Sequence, residues 1–198
     1  MGQVKHLGEV MRLFEKSPVV DARSIARVIR SRTDASQYEK QLVHNLLKSG
    51  RIKRLAKGCY TARDDPSLAV FCFKPAYLGL QDALSFHELW EQETAPVILT
   101  ARRVRQGARQ IMGQNVLIRR LDRRYMFGFD YYNRGDLHLP YSDVEKTLID
   151  MVYFGEHLTD EALRNLRKRL DTKKLRSYLK AYPARTRASV LRAAELQD

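Results

Sequence analysis

Residues 36–60 read SQYEKQLVHNLLKSGRIKRLAKGCY, and the fold that the sequence predicts follows from this stretch. Ser36 and Glu39 form the pattern of a capping box, in which two side chains pair with backbone N–H groups that the first helical turn leaves unsatisfied. Ser49-Gly50 ends the helix, because glycine readily takes the left-handed conformation of a helix C-terminus. Between these limits the apolar side chains recur at helical spacing on one face: Tyr38, Leu42, Leu46 and Leu47.

The other face of this helix is polar, and every side chain on it can donate a hydrogen bond. It carries Gln37, Lys40, Gln41, His44 and Lys48. Residues 51–55 and 59–61 then favour two strands, joined through Ala56-Lys57-Gly58. A polar helix followed by a basic hairpin is typical of a recognition helix and its wing, and it indicates duplex DNA as the partner.

Two more amphipathic helices are predicted ahead of this one. The first has its apolar side chains within residues 4–14 and stops at Ser17-Pro18. A short extended piece, Val19-Val20, leads to Asp21, which is a good N-cap for the second helix. Three helices and a hairpin in this order predict a winged helix-turn-helix domain.

The third helix of such a domain enters the major groove, so its early polar side chains are candidates for base contacts. Glutamine, for example, can pair with adenine through two hydrogen bonds. Basic side chains on the wing and the second helix are expected to contact phosphate, which positions a protein without reading sequence. The predicted DNA-binding residues are Arg27, Arg30, Ser36, Gln37, Lys40, Gln41, His44, Lys53, Arg54 and Lys57.

The charge of the chain is unevenly distributed. The chain has 198 residues, enough for one large or two small domains. Its net charge is +13. Residues 1–63 hold 14 Lys and Arg against 5 Asp and Glu, a net of +9, whereas residues 64–198 hold 22 against 18, a net of +4. A small domain with most of the excess positive charge is expected of a protein that binds the phosphate backbone.

The same composition predicts a cytoplasmic protein without a membrane segment. No apolar run approaches the ~20 residues that a membrane span needs, and residues 1–10 lack the apolar centre of a signal peptide. The two cysteines, Cys59 and Cys72, are too few for a disulfide framework or a cysteine metal site, and we expect them to be buried thiols.

A polar hinge at residues 62–66 divides the predicted domains into 1–63 and 64–198. The second domain is predicted to be a small mixed sheet with a C-terminal helical tail, which makes the fold class α+β. Its predicted strands are 68–73, 97–100, 116–121, 126–132 and 136–139, with a loop at 75–79 and a helix at 81–90. Its tail helices begin at a second capping box, Ser142 with Glu145, at the cap Thr159, at Lys173 and at Arg185.

A basic tract crosses the sheet of the second domain. Between residues 101 and 124 only Asp122 is acidic. Arginine suits bidentate contact with phosphate or carboxylate, so this tract is a candidate surface for nucleic acid or an acidic partner, and a solvated sheet edge is the alternative. Its members are Arg102, Arg103, Arg105, Arg109, Arg119, Arg120, Arg123 and Arg124.

No catalytic motif is present, which argues against an enzyme. The chain has no phosphate-binding glycine loop, no dinucleotide fingerprint, no zinc-protease helix and no nucleophile elbow. The sequence offers no evident carboxylate or thiol partner for His87, which is expected to be structural. Asp136 and His138 share a strand face without a third ligand, so no metal or cofactor is predicted.

Three stretches give the chain a resemblance to the AbiEi-type antitoxins of type IV toxin–antitoxin systems. LLKSGRIKRLAKGCYTA, residues 46–62, resembles the helix and wing of that family's N-terminal domain. GLQDALSFHEL, residues 79–89, is similar to the start of its C-terminal domain. LPYSDVEKTLIDMVYF, residues 139–154, resembles its strand followed by a T-L-x-D helix.

The resemblance implies a protein with two roles. The N-terminal domain would repress its own operon by binding inverted repeats in double-stranded DNA. Separately from the resemblance, we expect a monomer or weak dimer. The C-terminal domain would counter a nucleotidyltransferase-like toxin encoded by a neighbouring gene. Two alternatives stay open: a stand-alone transcription factor whose second domain dimerises or senses a ligand, and an enzyme of nucleic-acid metabolism targeted by its winged helix.

Overall fold

The structure, a computed structural model, describes residues 6–30, 35–92 and 94–197. Its chain forms two compact units. The first comprises Met1–Cys72 and Gln110–Gln114, and the second comprises Phe73–Arg109 and Asn115–Asp198. The domain division between residues 63 and 64 stays a prediction.

The first unit contains three helices and a small antiparallel sheet. In chain order its elements are α1 Leu7–Lys16, β1 Val20–Asp21, α2 Ala22–Arg30, α3 Ala35–Lys48, β2 Lys53–Ala56 and β3 Cys59–Thr61. Strand β3 lies between β1 and β2. The helices pack on one another through a buried apolar core formed by Val10, Phe14, Ile25, Ile29, Leu42, Val43 and Leu46.

Local signals account for most of these elements. The carboxylate of Asp21 accepts a hydrogen bond from the Ser24 backbone N–H at 2.7 Å, which confirms the predicted N-cap of α2. Helix α3 begins at Ala35, so Ser36 lies inside its first turn rather than before it. The predicted capping interaction of the Ser36 side chain lies outside the described residues.

The prediction of two free thiols is wrong. Cys59, on β3, and Cys72 form a disulfide with 6.2 Å between their Cα atoms. The two residues are 13 positions apart, and Cys72 lies in a 3₁₀ helix, Pro66–Phe73. Composition could not reveal this pairing, because two cysteines pair only where the fold brings their Cβ atoms together.

Most of a six-stranded sheet belongs to the second unit. Its strands are β4 Ala76–Leu78, β5 Val97–Thr100, β6 Gly107–Ile111, β7 Gln114–Arg120, β8 Phe129–Arg134 and β9 Leu137–Ser142, in the spatial order β6-β7-β5-β4-β9-β8. The pairs β4–β9 and β5–β7 are parallel, whereas β4–β5 and β8–β9 are antiparallel. The sheet is therefore mixed, as predicted, and its combination with helices is compatible with the predicted α+β class.

Helices accompany this sheet and complete the core. They are α4 Gln81–Phe86, α5 Val144–Phe154, α6 Asp160–Arg169, α7 Thr172–Leu179 and α8 Ala184–Ala193. Helix α5 is buried along most of its length and packs with α6, α7 and α8. None of the helices in the described parts of the chain combines the length and the apolar character that crossing a membrane requires.

Several predicted elements of the second half are wrong. Residues 68–73 are a 3₁₀ helix rather than a strand, and the loop predicted at 75–79 contains β4. A short apolar run has no periodicity that separates a strand from a buried turn of helix, which explains both errors. Strand β6 was not predicted, and the 126–132 and 136–139 strands are displaced to β8 and β9.

The predicted cap of α5 is displaced by one residue. Asp143, not Ser142, is the N-cap, and its carboxylate accepts a hydrogen bond from the Lys146 backbone N–H at 2.8 Å. Ser142 is the last residue of β9, and its hydroxyl lies 2.8 Å from that of Thr147. Strand pairing extends far enough to include Ser142, so the helix begins one residue later.

Candidate nucleic-acid interface

Helix α3 presents a continuous polar face to solvent. Gln37, Lys40, Gln41 and His44 are exposed, whereas Leu42 and Leu46 on the opposite side are each 2% exposed. The amide of Gln41 donates a hydrogen bond to the Asn45 side-chain oxygen at 3.1 Å. The burial of one face fixes the helix in the unit and leaves the other face available for contact.

The hairpin β2–β3, which follows α3 in the sequence, carries further basic side chains. Arg54 and Lys57 are exposed, and Lys57 lies in the turn between the strands. Lys53 is half-buried, and its ammonium forms an ion pair with the carboxylate of Asp64. Arg54 and Lys57 are thus the exposed basic side chains among the three candidates on the hairpin.

Glycine sets the shape of the hairpin turn. Gly58 has a φ of +72°, a conformation that residues with a Cβ rarely adopt. Its carbonyl accepts a hydrogen bond from the Ala22 backbone N–H at 2.8 Å, so the turn is tied to the start of α2. On α2 itself Arg27 is exposed, and the side chains of Arg30 and Ser36 lie outside the described residues.

The basic tract of the second unit has six exposed members and two that are partly buried. The exposed side chains are Arg102, Arg103, Arg105, Arg120, Arg123 and Arg124. Arg119 forms an ion pair with Glu156 at 2.7 Å, and the guanidinium of Arg109 lies 5.4 Å from the Phe73 ring centroid and donates to the Arg105 carbonyl. Six of the eight predicted side chains are therefore directed towards solvent.

A buried polar network surrounds α5, and the sequence patterns do not predict it. Lys146 and Asp150 form an ion pair in which neither side chain is exposed, and the Tyr77 hydroxyl donates to Asp150 at 2.7 Å. Burial lowers the pKa of Lys146 and raises the pKa of Asp150, while their mutual attraction opposes both shifts. The four-residue spacing of Lys146 and Asp150 on one helix predicts that the two side chains can pair, but it does not show that the pair is buried.

A second ion cluster lies at the N-terminal end of α5. The ammonium of Lys174 lies 3.1 Å from a carboxylate oxygen of Asp143 and 3.1 Å from one of Glu145. Although partial burial acts to lower it, the pKa of Lys174 is raised by these hydrogen bonds. The Tyr178 hydroxyl donates to Asp143 at 2.9 Å, and burial together with this bond raises the pKa of Tyr178 to about 12. The cluster joins α7 to α5.

His87 is buried, and its Nε2 donates to the Ser142 carbonyl at 2.7 Å. Burial lowers its pKa from the ordinary value of 6.5, and the charge of Arg169 acts in the same direction. Within the described ranges there is no group of three His, Cys, Asp or Glu side chains that could hold a metal ion.

The second unit also contains an open cavity of about 400 Å³. Its walls combine a cation, a carboxylate, hydroxyl groups and two aromatic rings. The lining residues are Asp82, Ser85, Phe86, Thr94, Arg134 and Tyr141. The hydroxyl of Thr94 is buried and has no hydrogen-bond partner among the described residues.

The comparisons with known proteins bear on the fold alone. No protein-family model and no curated protein matches the chain. Among solved structures, the chain is similar to the crystal structure of the RV2827C protein from Mycobacterium tuberculosis, with a TM-score of 0.58 and 13% sequence identity. The match covers 95% of this chain and 76% of that chain. At this identity the likeness indicates a common fold and does not transfer a function.

Proposed function

We propose that this protein is a DNA-binding transcriptional autorepressor that also acts as an antitoxin. The observation that carries the DNA-binding part is the polar face of α3. Four exposed hydrogen-bonding side chains lie along one side of a helix whose other side is fixed in the core. Residues 1–63 around this face have a net charge of +9, which suits a phosphate backbone.

We interpret the order α1-β1-α2-α3-β2-β3 as a winged helix-turn-helix. In that arrangement α3 lies in the major groove, where Gln37 and Gln41 reach base edges and Lys40 contacts phosphate. The DNA backbone on either side of the groove is contacted by Arg54 and Lys57 on the hairpin and by Arg27 on α2. The ion pair of Lys53 with Asp64 makes Lys53 the weaker of the phosphate candidates on the hairpin.

Two copies of the chain on inverted repeats would present two α3 helices to successive major grooves. A dimeric helix-turn-helix protein binds half-sites about one helical turn apart, or a multiple of that distance. The proposed operator is therefore a pair of inverted repeats in the promoter of the protein's own gene. A monomer or weak dimer in solution is compatible with such binding, since the copies meet on the DNA.

The antitoxin part of the proposal is supported by the resemblance to AbiEi-type antitoxins. Two of the three stretches that carry it, residues 79–89 and 139–154, belong to the second unit. Residues 139–154 include the end of β9 and all of α5, in agreement with the strand-then-helix pattern expected of them. The second unit would then act against a nucleotidyltransferase-like toxin, without itself being an enzyme.

A gel-shift titration tests the DNA-binding part. The duplex immediately upstream of the protein's gene is compared with a scrambled duplex of the same composition, each at a low and a high salt concentration. We expect the upstream duplex to be preferred at both, because base contacts survive when counterion effects weaken. Equal binding to both duplexes that disappears as salt rises would contradict sequence-specific recognition.

Growth rescue tests the antitoxin part. The gene next to that of this protein is expressed from an inducible promoter in a host that lacks both genes, with and without this protein. We expect growth arrest that co-expression relieves, and relief that persists in a Lys40→Ala/Arg54→Ala variant because the second unit performs it. Absence of toxicity from the neighbouring genes would contradict this part alone.

The cavity in the second unit supports one alternative, a stand-alone transcription factor that senses a small molecule. A volume of about 400 Å³ lies within the range of small-molecule sites, and the buried Thr94 hydroxyl has no hydrogen-bond partner in the part of the chain that the structure describes. A thermal-shift screen of polar metabolites distinguishes the two functions. A metabolite that stabilises the chain and releases it from the upstream duplex would favour the alternative.

A further inference from the structure

Two separate parts of the arginine tract meet at one edge of the sheet. Strands β5 and β7 run parallel and in register, with Thr100 opposite Arg120. Parallel strands end at the same edge, so the segments that follow them, residues 101–106 and 121–125, leave the sheet side by side. A hydrogen bond of 2.9 Å from the Arg120 backbone N–H to the Gln106 side chain links the two segments.

This edge is strongly positive. Its exposed side chains are Arg102, Arg103, Arg105, Arg120, Arg123 and Arg124. The one acidic residue in the tract is Asp122, whose carboxylate caps the short 3₁₀ helix Arg123–Tyr125 and lies 3.6 Å from the Arg124 guanidinium. Glu156 pairs with Arg119 at the inner side of the tract. Strand pairing thus places side by side two segments that carry six exposed arginines, although the sequence separates these arginines into two clusters.

An aromatic group continues from this edge. The guanidinium of Arg124 lies over the Tyr125 ring, 4.7 Å from its centroid. Tyr125 meets Tyr153 edge-to-face with 5.4 Å between ring centroids, and Tyr153 on α5 is 38% exposed. Large hydrophobic side chains with this exposure are rare in the described part of the chain. An exposed ring beside a row of arginines offers a base a surface on which to stack.

We propose that this arginine edge and Tyr153 form a binding site for single-stranded nucleic acid. Phosphates would follow the exposed arginines, and an unpaired base would stack on the Tyr153 ring. The ring favours a single strand over a duplex, because bases inside a duplex are already stacked on one another. The site is distinct from the proposed duplex contacts of α3, so the inference goes beyond the proposed function.

Fluorescence anisotropy with the full-length chain tests the site. The probes are a labelled single-stranded RNA of mixed sequence, the same sequence as single-stranded DNA, and its duplex. We expect both single strands to bind, since the proposed contacts do not depend on the 2′-hydroxyl group. The variant Arg120→Gln/Arg123→Gln should weaken single-strand binding at least tenfold. Each lost phosphate contact should lower the slope of log affinity against log salt by about 0.7.

Two comparisons separate specific loss from a general charge effect. The control variant Arg164→Gln/Lys168→Gln removes the same charge from exposed positions of α6 and should bind the single strands like the parent. Tyr153→Leu should weaken binding by roughly 5- to 150-fold, the range for one base stacked on an aromatic ring. Tyr153→Phe keeps the ring and should retain the affinity. Circular dichroism establishes that each variant is folded.

The variant Lys40→Ala/Arg54→Ala distinguishes this site from the one on α3. It should lose duplex binding while single-strand binding is retained, and Arg120→Gln/Arg123→Gln should show the reverse. Equal weakening of single-strand binding by the α6 control would overturn the inference, and so would loss of the single strands in the α3 variant. A parent protein that binds the duplex but neither single strand would overturn it and leave the proposed function intact.

Discussion

The ammonium group of Lys146 and the carboxylate of Asp150 form an ion pair in which both side chains are fully buried. They lie one turn apart on α5, and the rings of Tyr77, Phe127 and Tyr182 surround the ammonium at 5.4–5.8 Å. Removing two charges from water is costly, and a pair is tolerated at such a place only while each charge has its partner.

We therefore expect Lys146→Met to reduce the free energy of unfolding by about 3–5 kcal/mol, because it leaves the Asp150 carboxylate buried without its counter-ion. The double variant Lys146→Met/Asp150→Leu should lose less than the single variant, since it removes both charges and leaves only the Tyr77 hydroxyl without its acceptor. Chemical denaturation of the three proteins measures the difference. A double variant less stable than Lys146→Met would contradict the expectation.

Gly128 should be intolerant of any side chain. Its φ is +69°, and an added Cβ would lie 2.8 Å from the Tyr178 ring and 2.9 Å from the Lys146 Cβ. We expect Gly128→Ala to destabilise the chain by more than the ~1–2 kcal/mol of the left-handed conformation alone, because the clash adds to it. Thermal unfolding followed by circular dichroism gives the measurement.

Gly135→Ala is the matched control for this substitution. Gly135 lies in the β8–β9 turn with a φ of +64°, but nothing lies within 4 Å of its added Cβ. It should therefore show the conformational cost without the clash. Equal losses of stability in the two variants would mean that the contacts of Gly128 with α5 and α7 contribute little.

The stability of the chain should depend on pH through His87. Its pKa is lower in the folded chain than the ordinary 6.5, so unfolding takes up a proton in the interval between the two values. The stabilisation is fully present above about pH 7.5 and is lost as the pH falls through 6.5 towards the folded pKa.

His87→Gln should flatten this dependence. The glutamine amide can still donate a hydrogen bond to the Ser142 carbonyl, but it does not titrate. Denaturation midpoints of both proteins, measured between about pH 5 and pH 8, give the comparison. A parent and a variant with parallel profiles would show that another group is responsible for the acid sensitivity.

Reduction of the Cys59–Cys72 disulfide should destabilise the first unit. A disulfide that closes a loop of about 15 residues stabilises a folded chain by about 3 kcal/mol, chiefly by restricting the unfolded chain. We expect a reductant to lower the unfolding temperature of the parent and to leave a Cys59→Ser/Cys72→Ser variant unchanged. Thiol labelling with and without reductant, read by mass spectrometry, establishes the redox state of each sample.

Single substitutions on the proposed DNA-binding face should distinguish residues that contact phosphate from residues that recognise the base sequence. Lys40→Ala and Arg54→Ala should each weaken binding to every duplex and reduce the salt slope by about 0.9, the effect of one phosphate contact. Gln37→Ala should instead relax the preference for the upstream duplex by roughly 1–3 kcal/mol. If all three bind like the parent on both duplexes, the assigned face is wrong.

The first half of the chain was largely predictable because its signals are local. The Asp21 cap, the apolar spacing of α3 and the β2–β3 hairpin all depend on residues within a few positions of one another. Even so, the predicted buried face of α3 is only partly correct. Tyr38 and Leu47 are half-buried, whereas Val43, which is not among the predicted residues, is buried. Periodicity gives the direction of a helix face but not the depth of each position.

The second half was harder because its short strands pair over long distances. A three-residue strand such as β4 has no periodicity of its own, and its place between β5 and β9 depends on residues 20 or more positions away. The helices of the tail were found more easily, since Thr159 caps α6 as predicted, through a 3.2 Å hydrogen bond from the Ala162 backbone N–H. Boundaries shifted wherever strand pairing or core packing extended an element.

By itself, the sequence determined the charge of the chain, the succession of its early helices and the polar face of α3, because these depend on composition and on neighbours within a turn or two. Only the tertiary structure decided that Cys59 meets Cys72, that Lys146 is enclosed with Asp150, and that the arginines after β5 and β7 share one edge. Each of these depends on how deeply a side chain is buried or on segments far apart in the chain, and local patterns determine neither.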